Sequence, residues 1–277
     1  MKAASACYQC LRRLVYQAAE LATSDAQLRA RAIEEGLKIV ERDFSYDVIT
    51  ITIATKIHNT VKEITANPDP YRGMKDEEIR VSREFCRGIS PDQDFRSLLQ
   101  FSVLGNSMDF FRDAEAIKED LGKPVKFALD NIERFEQKLG NAAEVLYLAD
   151  NAGEVFFDLP LIRWMERSVE VTYVVNEAPA ADDITLGDLR RCGLEGELER
   201  VITTGTATPG VILSQASEQF KRELKSADLV LAKGMGYYEA LSELPGDGRI
   251  LFCFMAKCKP VADSVGVPLH SYVAMMW

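Results

Sequence analysis

The stretch EVLYLADNAGE, residues 144–154, decides the fold class because it joins a short apolar run to a polar turn. The run ends in Asp150 and Asn151, and Gly153 follows. Further short apolar runs alternate with helical segments: VEVTYVVN, ERVITTG, ADLVLAKG and GRILFCFMA, with SYVAMMW as a final strand. Apolar strands separated by helices are typical of a parallel sheet that is covered on both faces. The C-terminal part is therefore predicted to be an α/β/α sandwich with a mainly parallel, Rossmann-like sheet.

The N-terminal part has the hydrophobic periodicity of helices instead of the short apolar runs of strands. From residue 8 to about 139, apolar residues recur at steps of three and four, which is typical of helices. VITITIATKIHNTVKEIT, residues 48–65, is included as a helix despite its β-branched start, because it does not alternate strictly. NPDPYRG, residues 67–73, is predicted to be a loop, since a proline pushes its predecessor toward extended geometry. We predict a helical domain over residues 1–100 and an α/β/α domain over residues 101–277.

Composition excludes several classes of protein. With 277 residues, of which 47% are hydrophobic and 27% charged, the chain is typical of a globular protein, and no apolar run reaches the ~20 residues that span a bilayer. A net charge of -10 opposes non-specific nucleic-acid binding. Arg12 and Arg13 interrupt the segment where a signal peptide would be most apolar, and six irregularly spaced cysteines suggest reduced thiols. We expect a soluble cytoplasmic protein that binds neither nucleic acid nor membrane.

Polar residues collect where the predicted strands end. Ligands of an open parallel sheet bind beyond the carboxyl ends of its strands. Two strand ends carry oxygen ligands and two others carry lysines: Asp150 and Asn151, Asp182 and Asp183, Lys233, and Lys257 and Lys259. Carboxylate and amide oxygens suit magnesium, manganese or a similar ion, and lysine suits phosphate. The pattern predicts a site for a divalent cation and a phosphate.

Each strand end also has a plainer interpretation. Asp150-Asn151 and Asp182-Asp183 could simply cap the helices that follow them, although their coincidence at neighbouring strand ends favours shared ligands. KGMGYYE, residues 233–239, lacks the third glycine of a dinucleotide-binding loop. It is either an ordinary strand-to-helix turn or a glycine loop that approaches a ligand closely, with Lys233 before it and Glu239 after it.

Seven blocks, in order along nearly the whole chain, carry a family resemblance. They are CYQC (7–10), HNTVKEITANPDPYRGMK (58–75), SVLGNSMDF (102–110), LADNAGE (148–154), EAPAADDIT (177–185), KGMGYYEAL (233–241) and AKCKPVA (256–262). They resemble the metal-dependent damage-control phosphatases, long catalogued as domain of unknown function 89, in the compact archaeal-type branch with an N-terminal CxxC. The resemblance implies a helical domain joined to an α/β/α domain, and a phosphorylated small metabolite as substrate, as in metabolite repair.

The resemblance also implies residue roles. It implies a divalent metal, manganese, nickel, cobalt or magnesium, held by Asp150, Asn151 and Asp183. It places Lys257 toward the phosphate. We predict the substrate-binding residues to be Asn106, Asp109, Lys233, Gly234 and Glu239. The chain departs from the family pattern at Asp182, where relatives usually have asparagine, and at Glu177 and Ala178, where they have small glycines; these changes affect the expected substrate preference more than metal binding.

The predicted reaction is hydrolysis of a phosphate monoester. Acceleration of such hydrolysis can reach ~10²¹, whereas general acid–base catalysis contributes only ~10² to 10⁴. Most of the rate acceleration must therefore come from electrostatic stabilisation and positioning, which a cation and a lysine supply. We predict Asp150, Asp183 and Lys257 as catalytic residues. Water is favoured as the nucleophile because the DxDx(T/V) signature of aspartyl-phosphate enzymes is missing, although an aspartate nucleophile stays open.

Other functions compete with this one. Acidic strand ends and glycine turns also suit an S-adenosylmethionine-dependent carboxyl methyltransferase, and a non-catalytic module could bind the same phosphorylated ligand. CYQC has the spacing of a thiolate pair but needs two more ligands for a structural zinc. His58 could be an active-site acid or a packed helix residue.

Overall fold

The computed structural model describes residues 1–107 and 125–277, which contain eleven α-helices and one seven-stranded sheet. The first five helices are α1 (Ser5–Ala22), α2 (Ala26–Asp43), α3 (Thr50–Thr65), α4 (Arg72–Cys86) and α5 (Phe95–Gly105). The others are α6 (Ile132–Leu139), α7 (Val155–Met165), α8 (Leu186–Cys192), α9 (Glu218–Ser226), α10 (Gly234–Leu241) and α11 (Lys259–Val265). Within these ranges, no helix is both long and apolar enough to cross a membrane.

The sheet has the order β1-β7-β6-β5-β2-β3-β4. Its strands are β1 (Phe127–Asp130), β2 (Glu144–Leu148), β3 (Glu170–Val175), β4 (Arg200–Thr203), β5 (Leu229–Lys233), β6 (Ile250–Met255) and β7 (Tyr272–Met276). All neighbouring strands are parallel except β6 and β7. The predicted α/β class with a mainly parallel sheet is confirmed, and each of the six sequence runs taken as strands forms one.

The order of the strands creates a crevice. From β2 the chain adds β3 and β4 on one side, and then β5 and β6 on the other. The strand order therefore reverses between β2 and β5, and loops leave these two strands in opposite directions. Because Leu148 pairs with Ala232, both strands end at the same level of the sheet. The residues that follow β2 and β5 meet at this point.

Helices cover both faces of the sheet. Val145 and Tyr147 of β2 point into a core that α4, α5, α6, α7 and α8 complete. Leu146 and Leu148 point to the other face, where α9, α10 and α11 contribute apolar residues. Each fully buried large apolar side chain stabilises the fold by about 1.5–3 kcal/mol relative to exposure. Both faces of the sheet are buried under helices, which explains why the strand sequences are continuously apolar instead of alternating.

The N-terminal helices fall into two groups. α1, α2 and α3 share a core of their own that includes Val15, Ala32 and Ile57. In α3, apolar residues four apart lie on one buried face, so the β-branched start does not prevent a helix. α4 and α5 instead pack on the sheet, where Ile79 and Phe95 join its core. The domain boundary at residue 100 stays a prediction. The apolar contacts of α4 and α5 are with the sheet and not with the core of α1–α3.

One element differs from the expected helical pattern. Residues 127–130 lie within the segment predicted to be helical, yet they form β1. This strand has four residues with alternating burial, which is too short for its period of two to be recognised in sequence. It pairs with β7, which therefore lies between β1 and β6 instead of at the sheet edge.

Candidate active site

The segments after β2 and β3 are joined by backbone hydrogen bonds. Asn151 and Asp183 form an isolated antiparallel bridge. The carbonyl oxygen of Asp150 accepts a hydrogen bond from the N–H of Ile184 at 2.8 Å. Asp150, Asn151 and Asp183 are all buried. The structure thus brings together the three residues predicted to bind a metal.

Helix capping does not account for these side chains. The N-cap of α8 is Thr185, whose hydroxyl accepts from the N–H of Asp188 while the Asp188 carboxylate accepts from the N–H of Thr185. This capping box leaves Asp183 out of the helix end. Asn151 precedes the 3₁₀ turn Ala152–Glu154, but its side chain makes no capping hydrogen bond. The carboxylate of Asp183 and the amide of Asn151 are therefore not explained by local secondary structure.

The side chain of Asp183 is oriented by a hydrogen bond from the loop between β4 and α9 and by another from Asn176. Its Oδ2 accepts hydrogen bonds from the N–H of Gly210 at 3.0 Å and from Nδ2 of Asn176 at 3.1 Å. Burial raises the pKa of Asp183 well above its usual range, and the negative charges of Asp150 and Asp182 raise it further. The N–H of Gly210 acts in the opposite direction. The side chain is fixed in place, and the positive charge of Lys75 does not offset burial and the neighbouring carboxylates.

Asp150 is held by Asn106. Nδ2 of Asn106 donates to Oδ2 of Asp150 at 2.8 Å and to Oε1 of Glu154 at 2.7 Å. The N–H of Met255 in turn donates to Oδ1 of Asn106 at 3.0 Å, which fixes the amide. Burial raises the pKa of Asp150 well above its usual range, Glu154 adds to this, and Lys257 acts against it. Asn106 and Lys257 thus lie at the same site as Asp150, as predicted.

Gly234 has no room for a side chain. It begins α10 with a φ of +77°, a conformation that favours glycine. A Cβ atom at this position would overlap the carboxyl group of Asp150. The glycine of the KGMGYYE loop therefore lies directly against Asp150, and it lets the backbone of α10 approach the site.

Lys233 has partners other than the predicted phosphate. Its ammonium donates to Oε2 of Glu154 at 2.8 Å, to Oδ1 of Asp158 at 2.7 Å and to the carbonyl oxygen of Ser102 at 3.1 Å. The side chain is fully buried. Burial alone would lower the pKa of Lys233, but Asp158 and Glu154 outweigh it and raise the pKa above its usual range. All three N–H donors are used, which favours a positioning role behind the site over contact with substrate.

Two other predicted residues lie elsewhere. Glu239 accepts a hydrogen bond from the hydroxyl of Thr50 in α3, and its carbonyl oxygen accepts from the N-terminal amine of Met1. Burial raises its pKa, which the bond from Thr50 partly offsets. The Glu239 side chain is therefore engaged where α10 packs against α3. Asp109 lies outside the described residues.

The cysteines do not form a further centre in the part of the chain that the structure describes. All six are free thiols; Cys7 of the CYQC motif is buried and Cys10 is exposed. Among residues 1–107 and 125–277, no group of three or more His, Cys, Asp or Glu side chains is arranged to hold a metal. The set of Asp150, Asn151 and Asp183 has only two such side chains, because its third member is an amide.

Comparisons with known proteins identify the family. Residues 3–273 match the model of the Damage-control phosphatase ARMT1-like domain. The chain belongs to this family. A curated damage-control phosphatase from Archaeoglobus fulgidus is 33% identical over 99% of this chain and 99% of its own length. Another, from Pyrococcus horikoshii, is 32% identical over 99% of this chain and 98% of its own.

A solved structure agrees with this membership. The crystal structure of a DUF89 family protein from Pyrococcus horikoshii superposes with a TM-score of 0.89 at 30% sequence identity. The match covers 100% of this chain and 99% of the other. The fold of the damage-control phosphatase family is therefore shared over the full length.

Two carboxylates beside the candidate site were not predicted from the sequence: Glu154, which shares the amide of Asn106 with Asp150, and Glu78. Glu78 of α4 is buried and lies so close to Gly153 that a Cβ on the glycine would overlap its side chain. Burial raises the pKa of Glu78 well above its usual range, Asp182 and Glu154 add to this, and Lys257 opposes it. Glu78 follows Asp76 and Glu77, and nothing in this charged run distinguishes the buried member from its solvated neighbours.

Proposed function

We propose that this protein is a metal-dependent phosphatase that hydrolyses phosphate monoesters of small metabolites, either sugar phosphates or related damaged or surplus phosphometabolites. The observation that carries the proposal is the meeting of Asp150, Asn151 and Asp183 at the reversal of strand order, with Lys257 beside them. Two relatives named damage-control phosphatases align over the full chain and support the same reaction class.

The residues present fit a divalent cation. Asp150 and Asp183 are buried carboxylates, and the charge of Asp150 raises the pKa of Asp183, so a cation between them would relieve this repulsion. Asn151 adds a hard amide oxygen, and such oxygen donors suit magnesium, manganese, cobalt or nickel. When bound, such an ion neutralises phosphoryl oxygens and lowers the pKa of water. We name Asp150, Asn151 and Asp183 as the residues that would hold it.

The chain's own residues would position the ester and move the proton. Lys257 would bind the phosphoryl group as a point charge. Asp150 or Asp183 would take a proton from the attacking water as its oxygen forms the new P–O bond. The old P–O ester bond breaks, and this proton passes to the leaving oxygen, so the products are phosphate and the alcohol. Asn106 holds Asp150 in one orientation, and the Lys233 ion pairs hold Glu154 behind Asn106. These contacts preorganise the site, which favours the transition state.

The fold is consistent with this function. We interpret the sheet as Rossmann-like because the strand order reverses between β2 and β5, and α1–α3 as the N-terminal helical domain because they share a separate core. The candidate site lies at this reversal, where open α/β sheets bind their ligands. Helix α10 begins at Gly234, which lies against Asp150, so the N-terminus of this helix is at the candidate site, and helix N-termini favour anions.

The test is phosphate release from p-nitrophenyl phosphate and fructose 1-phosphate with manganese, nickel, cobalt or magnesium. We expect activity that EDTA abolishes and metal restores. Asp183→Ala should lower kcat by about 10³-fold or more with an unchanged circular dichroism spectrum, because a ligand to the cation is lost. Asp92→Ala, an exposed carboxylate elsewhere, is the control and should retain full activity.

Two results would contradict the proposal. Full activity in Asp183→Ala would remove this residue from the site. Metal-independent thermal stabilisation by S-adenosylmethionine, with no phosphate released from any ester, would instead favour a methyltransferase.

A further inference from the structure

Glu78 is a buried residue beside the candidate site to which the proposed reaction assigns no role. It is only 2% exposed. A Cβ on Gly153 would overlap the Cγ of Glu78 and lie 3.0 Å from its carboxyl carbon, so this group packs on the 3₁₀ turn that follows Asn151. Helix α4 as a whole packs on the same turn. The packing therefore holds the carboxyl group of Glu78 next to the segment that carries two of the proposed metal ligands.

Three charged residues from three different strand ends lie within electrostatic range of Glu78. They are Glu154 after β2, Asp182 after β3 and Lys257 after β6. The same three residues also shift the pKa of Asp150. Glu78 and Asp150 thus share their charged neighbours, which places Glu78 at the edge of the proposed reaction centre.

Neither carboxyl oxygen of Glu78 has a hydrogen-bond partner within residues 1–107 and 125–277. Buried polar side-chain atoms of native proteins nearly always have a partner, either in the protein or in ordered water or a ligand. The nearby carboxylates of Asp182 and Glu154 do not supply a donor, because an ionised carboxylate only accepts. A buried carboxyl group without a partner, at the edge of a reaction centre, is placed to contact a bound substrate.

The surroundings of Glu78 favour its neutral form. Burial raises the pKa of Glu78 well above its usual range, and the charges of Asp182 and Glu154 raise it further. The N–H of Gly153 and the charge of Lys257 act in the opposite direction. An ionised carboxylate here would also repel the anionic phosphoryl group that Lys257 is proposed to bind. The neutral acid instead carries an O–H, which can donate to an ester oxygen.

The proposed hydrolysis needs a proton donor. The alkoxide that leaves an alkyl phosphate is a strong base, and a positioned acid that protonates it accelerates the reaction by ~10² to 10⁴. Asp150 and Asp183 are ionised when they hold a cation, so they accept protons and do not donate them. Two kinds of carboxyl group, one kept ionised and the other kept neutral by its surroundings, are typical of paired base and acid roles. Glu78 is the neutral member of such a pair.

We propose that Glu78 is the general acid of the reaction and donates its proton to the ester oxygen that leaves. The P–O bond to this oxygen breaks, its electron pair stays on the oxygen, and the O–H of Glu78 protonates it to give the alcohol. The proton that Asp150 or Asp183 takes from the attacking water then restores Glu78. Over a full turnover, the proton of the water replaces the one that the alcohol carries away. The inference rests on the proposed phosphatase function and assigns it a further catalytic residue.

The basicity of the leaving group distinguishes acid catalysis from a structural role. Glu78→Gln keeps the shape of the side chain but has no proton to release. We expect it to lower kcat for fructose 1-phosphate by about 10²-fold or more, because the alkoxide must then leave unprotonated. p-Nitrophenyl phosphate should stay within about threefold, since nitrophenolate leaves without a proton, and phenyl phosphate should lie between the two.

Glu77→Gln is the matched control. Glu77 is the preceding residue of α4, but it is exposed and pairs with Arg80. Its substitution should change none of the three esters. Glu78→Gln should also keep the circular dichroism spectrum and the urea midpoint of the wild type.

The wild type provides two further measurements. Its kcat for fructose 1-phosphate should fall as the pH rises and Glu78 loses its proton, whereas kcat for p-nitrophenyl phosphate should not fall. The infrared spectrum of the metal-loaded protein at pH 7 should contain the carbonyl band of a protonated carboxylic acid that is missing in Glu78→Gln. Parallel pH profiles for the two esters, or the absence of this band, would overturn the assignment.

The outcomes separate this inference from the proposed function. Equal losses on all three esters in Glu78→Gln, or no loss with fructose 1-phosphate and phenyl phosphate, would remove Glu78 as the acid and leave a phosphatase. A wild type that hydrolyses no ester with any of the metals would instead overturn the phosphatase proposal, and the role of Glu78 with it.

Discussion

Two buried charge clusters lie side by side at the carboxyl edge of the sheet, and they are balanced in different ways. Around Lys233, one ammonium is bound by Glu154 and Asp158, and its remaining donor is bound by a backbone oxygen. Asp150 and Asp183 instead face each other, with amide and backbone donors but mutual repulsion. Asn106 connects the clusters, because its amide donates to both Asp150 and Glu154.

The difference indicates which cluster holds the fold together and which one binds a ligand. A buried ion pair with all its hydrogen bonds made is self-contained, and it fixes neighbouring elements. The pKa values of Asp150 and Asp183 stay raised despite nearby lysines, and buried carboxylates with raised pKa values are common in functional sites. Lys233 supplies the cation of the first cluster from the chain itself. In the second cluster, we expect that charge to come from a bound ion.

The largest expected effect is on the self-contained cluster. Lys233→Met leaves Glu154 and Asp158 buried without their cation, and we expect it to lower the free energy of unfolding by about 3–5 kcal/mol. Chemical denaturation measures this value. Lys221→Met removes a lysine from an exposed pair with Glu218 and should change stability by no more than about 0.5 kcal/mol. Similar losses in both variants would show that the Lys233 cluster is not structural.

The second expected effect is a loss of stability at low pH that comes from His58, whose pKa lies in the range typical of carboxylates. Burial lowers the pKa of His58 to about 4, from about 6.5 in the unfolded chain. The unfolded state therefore binds a proton first, and the stability contributed by neutral His58 is complete above pH 6.5 and is lost as the pH falls toward 4. The loss is roughly 3 kcal/mol at 1.36 kcal/mol per pKa unit.

Denaturation of His58→Gln between pH 7 and 4 measures this contribution. The variant should lose less stability on acidification than the wild type. His270→Asn replaces an exposed histidine whose φ of +63° asparagine tolerates, and it should follow the wild type. Identical acid profiles for His58→Gln and the wild type would contradict the assignment of the acid response to His58.

The smallest of the three effects is stabilisation by a bound cation at the cluster of Asp150 and Asp183. A divalent cation at a hundred times its Kd should raise the free energy of unfolding of the wild type by about 2.7 kcal/mol. Asp183→Asn keeps the shape of the side chain but removes a charged ligand, so we expect most of this gain to disappear. Without metal, the variant should be at least as stable as the wild type, because two buried carboxylates no longer repel. A full metal-induced gain in Asp183→Asn would contradict this model.

Local signals in the sequence predicted the strands and the positions of their ends. The apolar run of β2 and the turn at Asp150 and Asn151 are read from adjacent residues, and the rule for parallel sheets places them near Asp183. The capping question needed coordinates, because either Asp183 or Thr185 could have begun α8. The sequence predicts that these oxygen atoms lie close together, but it does not show whether Asp183 also caps α8.

Partners distant in the chain could not be predicted. Lys233 is the last residue of β5, a position that suits a phosphate-binding lysine, but its partners Glu154 and Asp158 lie 79 and 75 residues away. Glu78 is equally hidden, because the packing of α4 against the 3₁₀ turn decides which of several acidic residues is buried. Glu239 lies five residues after Gly234, but its carboxylate contacts Thr50 of α3. These outcomes depend on tertiary packing and not on local pattern.

The contact between Gly234 and Asp150 has a consequence for protein engineering. A library that randomises position 234 would place a Cβ atom where the Asp150 carboxyl group lies, so almost every variant would displace that carboxylate. Mutagenesis of the β5–α10 turn should therefore keep position 234 as glycine.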